Sequence, residues 1–148
     1  MATVAFLGTG LLGSGMVERM LQQGNTVVVW NRTASKARAL EAHGARVAAT
    51  PADAVADAER VHMTLPDDAV VDQIVDGFRG RLRSDAIVID HSTTAPRGTA
   101  KRIPRLNGAG VRFLHAPVFM SPQMARDGVG ILLASGPRPV FEAARPAL

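Results

Sequence analysis

Short continuous apolar runs alternate with segments of helical periodicity along the whole chain, and this alternation constrains the fold most strongly. The runs proposed as strands are 3–8, 25–30, 60–65, 86–92 and 111–118. They are apolar throughout instead of alternating with polar residues, which is typical of strands buried on both faces of a parallel sheet. With right-handed crossovers, the pattern predicts an α/β fold: a doubly wound, mainly parallel Rossmann sheet with helices on both faces.

The segments between the runs carry helix signals. In 11–23, Leu12, Met16 and Met20 share one face, and Gly24 follows the segment as a stop signal. Pro104 lies inside another predicted helix, where it removes a hydrogen bond at a cost of about 3 kcal/mol, so a kink or an early end is expected. The remaining predicted helices are 33–43, 50–58, 66–78, 95–110 and 137–148.

The chain has 148 residues, of which 47% are hydrophobic, and it contains no cysteine. This length is sufficient for one hydrophobic core, so a single domain over 1–148 is expected. The apolar runs are about five residues long, far short of the roughly 20 that a membrane helix needs, and no leader pattern precedes the first strand. We therefore expect a cytoplasmic protein with no membrane association.

The net charge of +4, from 17 Lys and Arg against 13 Asp and Glu, raises the question of nucleic-acid binding. The basic residues are spread singly, and only "RGRLR" at 79–83 forms a cluster. Five Phe and one Trp offer few rings on which bases could stack. The cluster therefore indicates a solvated loop, and no nucleic-acid partner is expected.

The sequence "GTGLLG" fits the Gly-x-Gly-x-x-Gly pattern directly after a strand and directly before a helix. In that context Gly8 permits a tight turn, Gly10 lets a pyrophosphate approach the backbone, and Gly13 lets the helix lie close to the strand. The helix N-terminus at Leu11 and Leu12 would offer free N–H groups to a phosphate. The motif predicts a dinucleotide site, and a glycine-rich turn without a ligand is the alternative.

The second apolar run ends at Trp30, about 20 residues beyond the glycines, where NAD-binding proteins place an Asp or Glu on the ribose hydroxyls. Asn31, Arg32 and Thr33 follow instead. An acid would repel a 2′-phosphate, whereas a guanidinium binds phosphate bidentately, and Thr33 adds a hydroxyl at a helix N-terminus. The three residues favour NADP(H) over NAD(H), although Arg32 also fits a plain exposed loop arginine.

The residues after the later runs are further candidates, because ligands of open α/β sheets bind at the carboxyl ends of strands. Leu65 and Pro66 form an apolar turn suited to an adenine or a ribose, or simply to the start of a helix. Ser92, Thr93 and Thr94 offer hydroxyls to a nicotinamide or a substrate, with one of them expected as the N-cap of the next helix.

His91 and His115 are the histidines closest to these loops. Free imidazole titrates near neutrality, but no acid stands at helical spacing to orient either ring, so structural roles are favoured over catalytic ones. No set of His, Asp and Glu has metal-ligand spacing, and no Ser-His-Asp arrangement stands out. Hydrolytic chemistry therefore has little support.

Four stretches together resemble, in order and spacing, the cofactor domain of the β-hydroxyacid dehydrogenase family. They are "VAFLGTGLLGSGMVERMLQQGNTVVVWNRT", "LPDD", "DHSTTAP" and "APV" with Gly128 after it. The family includes 6-phosphogluconate and 3-hydroxyisobutyrate dehydrogenases and glyoxylate and succinic semialdehyde reductases. The resemblance implies that Leu65 and Pro66 line the adenosine side, that Thr93 meets the nicotinamide half, and that residues 31–33 match the NADP-preferring branch.

The chain departs from the family pattern after "APV". The family usually has Ser-Gly-Gly there, which grips the substrate carboxylate, whereas this chain has Phe119, Met120 and Ser121. Ser121 and Gln123 are the candidates for a displaced polar contact with the substrate. Phe119 either contacts a more apolar substrate or, like Met120, only packs against the protein.

A second departure concerns the catalytic lysine that the resemblance implies. In the family this lysine, with an asparagine, lies on a helix that would come after Leu148, and an all-helical domain then completes the pocket and the dimer. Neither Lys36 nor Lys101 falls where that lysine belongs. We therefore expect the cofactor-binding half of a longer enzyme, inactive by itself, with a tendency to self-associate or form a homodimer through the uncovered surface.

The leading hypothesis is the NADP(H)-binding domain of an oxidoreductase that transfers hydride between nicotinamide and a small hydroxy acid or carbonyl compound. A non-catalytic nucleotide-binding or interaction module that kept the fold is the second hypothesis, and Phe119 and Met120 favour it. An imine-reductase-like relative is the third, because it would share the same cofactor half.

Overall fold

The structure, a computed structural model, describes all residues from 1 to 148 and places six strands in one parallel sheet. The strands are β1 Thr3–Leu7, β2 Thr26–Trp30, β3 Arg46–Val47, β4 Arg60–Met63, β5 Ile87–Asp90 and β6 Arg112–His115. Their order is β3-β2-β1-β4-β5-β6, and every neighbouring pair is parallel. This is the Rossmann order, so the predicted fold class is confirmed.

Seven α-helices connect and cover the strands. They are α1 Leu11–Gln22, α2 Ala34–Arg38, α3 Pro51–Val55, α4 Asp68–Phe78, α5 Pro96–Gly108, α6 Pro122–Asp127 and α7 Arg138–Ala144. Helices α1, α2 and α7 pack on one face of the sheet, and α3, α4 and α5 pack on the other. None of the helices combines the length and the apolar character needed to cross a bilayer.

The strands are apolar throughout because both of their faces are covered. In β1, the side chains of Ala5 and Leu7 belong to the cluster under α3 to α5, whereas Phe6 between them packs under α1 and α2. All three are fully buried. A strand with one solvated face would alternate with polar residues instead.

The five predicted strands are confirmed, with ends shifted by one to three residues. Three strands of two residues each were not predicted, because such short strands have no periodicity to detect. One of them is β3, and the other two form an antiparallel pair, β7 Val118–Phe119 and β8 Ile131–Leu132. Helix α6, six residues long, was missed for the same reason.

Four helix predictions differ from the structure. The helix predicted over 50–58 ends at Val55, and the one predicted over 137–148 is a 3-10 helix from Arg145. The helix predicted over 33–43 is α-helical only to Arg38 and continues as a 3-10 helix over Ala39–His43. The expected early end at Pro104 is wrong, because α5 runs through it to Gly108. Leu106, after the proline, is fully buried in the core, and this packing holds the last turn in place.

Arg102 joins α5 to α4 from a buried position, with a side chain that is 1% exposed. Its Nε donates to Oδ1 of Asp72 at 2.8 Å, and its Nη2 donates to Oδ1 of Asp68 at 2.7 Å. The backbone N–H of Ala95 and, after it, Arg102 lower the pKa of the Asp68 carboxyl, and Arg102 lowers that of the Asp72 carboxyl. Asp68 in turn accepts the N–H of Ala95 at 2.8 Å, so the ion pair also fixes the loop that precedes α5.

Replacing Arg102 by Leu should lower the free energy of unfolding by about 1–2 kcal/mol, since two carboxylates lose a buried cation while their own exposure of 33% and 43% lets water replace part of it. Arg105→Leu is the matched control: Arg105 bonds Asp72 and Asp76 in the same network but is 44% exposed, so its loss should cost under about 1 kcal/mol. Urea unfolding measures both values. Equal effects would show that burial of Arg102 does not set the strength of its pairs.

Candidate functional site

The loop between β1 and α1 lies directly against the end of β4. Gly8 has φ of +95°, and a Cβ on it would overlap the carbonyl oxygen of Thr64. A Cβ on Gly13 would overlap the Gly8 carbonyl oxygen. The hydroxyl of Thr64 donates to that same carbonyl at 2.7 Å. The protein's own packing therefore requires glycine at both positions.

Gly10 differs from these two glycines, because no protein atom lies within 4 Å of the position that its Cβ would take. Helix α1 begins directly after it, with no side-chain cap and no acidic residue in its first turn. Leu11 is 79% exposed, and the buried hydroxyl of Thr9 has no hydrogen-bond partner. Open space at an uncapped helix N-terminus fits the phosphates of a dinucleotide.

Asn31 connects the glycine loop to the loop after β2. Its Oδ1 accepts the N–H of Thr9 at 2.9 Å, and its Nδ2 donates to the carbonyl of Thr33 at 3.0 Å. The sequence pattern predicted a cofactor-binding role for Asn31 and did not reveal these contacts within the protein. The amide of Asn31 is thus engaged inside the protein, while Arg32 and Thr33 are exposed.

A cavity of about 480 Å³ opens beside this loop. Its charged lining residues are Arg32, Arg38 and Glu41, and Asn31 and Trp30 also contribute to its wall. With two arginines and one glutamate, the lining of this cavity carries a net positive charge. A phosphate monoester is the kind of group that such a cavity attracts.

The loop after β5 is held from two sides. The N–H of Leu65 donates to Oγ of Ser92 at 2.8 Å, and Asp68 accepts the N–H of Ala95. Ser92 is buried and its hydroxyl is occupied by this bond, whereas Thr93 is exposed. The expectation that a hydroxyl residue caps α5 is wrong: the N-cap is Ala95, and no side-chain cap bond is made.

The segment after β6 carries the remaining substrate candidates, and its helix α6 packs against α1 near Gly15. Ser121 is the N-cap of α6, where its Oγ accepts the N–H of Met124 at 3.1 Å. Gln123 donates from Nε2 to Oδ1 of Asp127 at 3.0 Å. Phe119 on β7 is 63% exposed. The polar groups of Ser121 and Gln123 thus stabilise α6, and their contact with a substrate stays a prediction.

The candidates after β1, β2, β4 and β5 meet at one edge of the sheet, because these strands end in register. Leu7 pairs with Trp30 and with Met63, and Met63 pairs with Asp90. The loops that follow therefore lie side by side. They contribute the sequence-predicted residues Gly8, Gly10, Leu11, Leu12, Gly13, Asn31, Arg32, Thr33, Leu65, Pro66, Ser92 and Thr93.

Two buried imidazoles form a chain behind this edge. Nδ1 of His62 lies 2.9 Å from Nε2 of His91, and Nδ1 of His91 lies 2.8 Å from the carbonyl oxygen of Ala116. Burial lowers the pKa of His91 to about 4 and that of His62 well below 6.5. Both rings are therefore neutral at pH 7.

The hydrogen bonds determine which nitrogen of each ring carries the proton. The Ala116 carbonyl can only accept, so His91 donates from Nδ1 and its Nε2 is an acceptor. His62 then donates from Nδ1, which leaves its Nε2 as a bare acceptor. That nitrogen is buried and has no partner. His115 likewise bonds a backbone carbonyl, that of Ser92, at 3.0 Å, and structural roles for His91 and His115 stay a prediction.

The fold and the loop at its carboxyl edge define a dinucleotide-binding Rossmann domain. Comparison with known proteins specifies the family. The model of the NAD binding domain of 6-phosphogluconate dehydrogenase matches residues 3–148. A structure of 3-hydroxyisobutyrate dehydrogenase from Mycobacterium tuberculosis with L-serine superposes with a TM-score of 0.95 at 28% identity, covering 100% of this chain and 51% of that one.

Two curated relatives are similar in sequence. The 3-sulfolactaldehyde reductase of Escherichia coli K12 is 38% identical over 151 residues, covering 100% of this chain and 51% of the reductase. The cytokine-like nuclear factor N-PAC of Xenopus tropicalis is 37% identical over 142 residues, covering 94% of this chain and 27% of that protein. The chain thus belongs to the β-hydroxyacid dehydrogenase family and spans about half of the reductase and about a quarter of N-PAC.

The buried histidines predict a loss of stability in acid. The unfolded chain takes up protons below the ordinary histidine pKa of 6.5, whereas folded His91 stays neutral to about pH 4. The folded state therefore loses free energy of unfolding as the pH falls from 6.5 to 4. At pH 4 the loss due to His91 amounts to about 3 kcal/mol. Urea unfolding between pH 7 and 4 measures this slope.

The matched variants for this experiment are His91→Gln and His43→Gln. Glutamine at position 91 does not titrate and keeps an N–H donor for the Ala116 carbonyl, so the slope should flatten by about one proton. His43 is exposed, and its replacement should leave the slope as it is. An unchanged slope in His91→Gln would show that folded His91 accepts the proton.

Proposed function

We propose that the chain is the NADP(H)-binding part of an oxidoreductase that transfers hydride between nicotinamide and a small hydroxy acid or its carbonyl partner. The observation that carries this proposal is that two features suited to a dinucleotide lie at the carboxyl edge of the sheet. The open space at Gly10 faces the uncapped N-terminus of α1, and Arg32 stands exposed at the end of β2 where an acid would select NAD. Membership of the β-hydroxyacid dehydrogenase family supports the reaction class.

Each loop then has a separate task in the proposed site. The N–H groups at Leu11 and Leu12 bind the pyrophosphate, and Arg32 pairs with the 2′-phosphate. Leu65 and Pro66 line the adenosine side, and the exposed hydroxyl of Thr93 meets the nicotinamide half. The bound nicotinamide would supply or accept the hydride, while the protein supplies orientation.

Proton transfer to the substrate oxygen is assigned to a part of the enzyme other than residues 1–148. Lys36 and Lys101 are exposed on α2 and α5, outside the loops of the carboxyl edge. We place the family's lysine in the half that the relatives have beyond this domain. We also propose that the enzyme is cytoplasmic. The present chain is accordingly proposed to bind the cofactor without turnover.

The second half of such an enzyme would also cover an apolar surface around β7, β8 and α6. Five large side chains there are more than a third exposed: Phe119, Met124, Val129, Ile131 and Leu133. Exposed apolar surface of this kind favours association. We therefore propose that the chain by itself forms homodimers or larger assemblies through this surface.

A non-catalytic nucleotide-binding module is the second candidate, and two observations favour it. Phe119 and Met120 replace the residues with which the family grips a substrate carboxylate, and one curated relative is named a nuclear factor. Oxidation of NADPH by the full-length protein, tested with a panel of small aldehydes and keto acids, distinguishes the candidates. The oxidoreductase should turn over at least one compound, and no turnover of any would support the module.

Calorimetric titration with NADPH and with NADH tests the cofactor proposal. NADPH should bind at least about tenfold more tightly, a difference of about 1.4 kcal/mol, because Arg32 pairs with the 2′-phosphate. Arg32→Gln should remove this preference by weakening NADPH alone. Arg81→Gln, in an exposed arginine of the loop between α4 and β5, should change neither affinity.

A second variant distinguishes an effect on pyrophosphate binding from an effect on the stability of the fold. Gly10→Val places a side chain into space that no protein atom occupies, so stability to urea should change by less than about 1 kcal/mol. Both dinucleotides should nevertheless lose affinity, by about 100-fold, because the side chain fills the phosphate position. If Gly10→Val binds both as the wild type does, the dinucleotide does not lie on the glycine loop.

A further inference from the structure

Each polar group of Ser92, in the loop after β5, has a partner within the protein. Its N–H donates to Oδ1 of Asp90 at 3.0 Å, and its hydroxyl oxygen accepts the N–H of Leu65 at 2.8 Å. Its carbonyl oxygen accepts a hydrogen bond from Nε2 of His115 at 3.0 Å. Groups on β5, on the loop after β4 and on β6 therefore hold this residue from three directions.

The residues that follow Thr93 in the same loop are held as well. Oγ1 of Thr94 lies 3.3 Å from Nε2 of His115. The N–H of Ala95 donates to Oδ2 of Asp68 at 2.8 Å. The loop is thus anchored on both sides of Thr93, and His115 takes part in both anchors.

Thr93 itself is left free between these anchors. Its N–H and its hydroxyl have no hydrogen-bond partner in the protein, and the residue is exposed. The C=O and the N–H of a planar trans peptide unit point in opposite directions. Because the Ser92 carbonyl is turned to His115, the N–H of Thr93 points away from His115. Free polar groups with fixed neighbours on both sides are suited to a bound ligand.

His115 is buried, and its backbone is fixed in turn. Its N–H donates to the carbonyl of Ser135 at 2.9 Å, and its carbonyl accepts the N–H of Ser135 at 2.7 Å. The Ser92 carbonyl can only accept, so Nε2 of His115 carries a proton and donates it. The contact requires an N–H at the reach of Nε2. A glutamine side chain offers one, an asparagine side chain is too short, and a leucine side chain has none.

We propose that His115 is a positioning residue for the nicotinamide half of the cofactor: by binding the Ser92 carbonyl, it holds the peptide unit of Thr93 in the orientation that meets the nicotinamide. This inference rests on the proposed function, since it requires a dinucleotide whose nicotinamide half lies at Thr93. His115 acts through the loop and does not contact the cofactor, because its side chain is buried and its Nε2 is occupied. It shares no hydrogen bond with the loops after β1 and β2, where the pyrophosphate and the 2′-phosphate are proposed to bind.

The test is calorimetric titration of the 148-residue chain with NADPH and with 2′-phospho-ADP-ribose, which lacks the nicotinamide ring. The wild type should bind NADPH at least about fivefold more tightly than 2′-phospho-ADP-ribose. His115→Leu should abolish this preference by weakening NADPH alone. His115→Gln should keep the preference within about twofold of the wild type, because its amide N–H reaches the same carbonyl. A role of His115 in stability alone would not distinguish the two ligands.

The possible failures are distinguishable. Equal binding of both ligands by the wild type, an unchanged preference in His115→Leu, or an equal loss of affinity for both ligands in that variant would each overturn the positioning role and leave the cofactor site standing. Binding of neither ligand by the wild type would overturn the proposed cofactor function, and this inference with it. If His115→Leu does not fold, His115→Asn replaces it. The preference should then be lost in His115→Asn and kept in His115→Gln, and equal preferences in the two variants would contradict the proposal.

Discussion

The backbone of the β1–α1 loop lies directly on the backbone at the end of β4, and the carboxyl edge depends on this contact. The N–H of Gly8 donates to the carbonyl of Trp30 at 2.9 Å, and the N–H of Thr64 donates to that of Leu7 at 2.9 Å. Asn31 then binds the N–H of Thr9 from the side. The loops after β1, β2 and β4 are therefore one hydrogen-bonded unit, in which a side chain on Gly8 has no room.

The same sheet buries the imidazole rings of His62 and His91. His62 stacks on Phe6 with ring centroids 6.1 Å apart and on His91 at 5.2 Å. The rings pack in the core by stacking and by one hydrogen bond between them. Nε2 of His62 is left without a partner. A buried acceptor without a partner is costly.

The outline of the fold was predictable from the sequence because strand and helix signals agreed with each other along the chain. The glycine pattern at Gly8 to Gly13 was equally clear, since its context of strand and helix is part of the motif. The pairing of His62 with His91 was not predictable: the residues are 29 positions apart, and only the register of β4 on β5 brings them together.

The roles of single residues within a correctly predicted loop depend on hydrogen bonds that the sequence pattern does not reveal. Asn31 and Arg32 were taken together as signals for a 2′-phosphate, but the amide of Asn31 is used between Thr9 and Thr33. The proposed preference for NADP(H) therefore depends on Arg32 alone, which lines the cavity beside the β2 loop together with Arg38 and Glu41. An Asp in place of Asn31 could still accept the Thr9 N–H, but it could not donate to the Thr33 carbonyl. The asparagine therefore serves the structure of the edge, and this structural role by itself accounts for an amide in place of an acid at position 31.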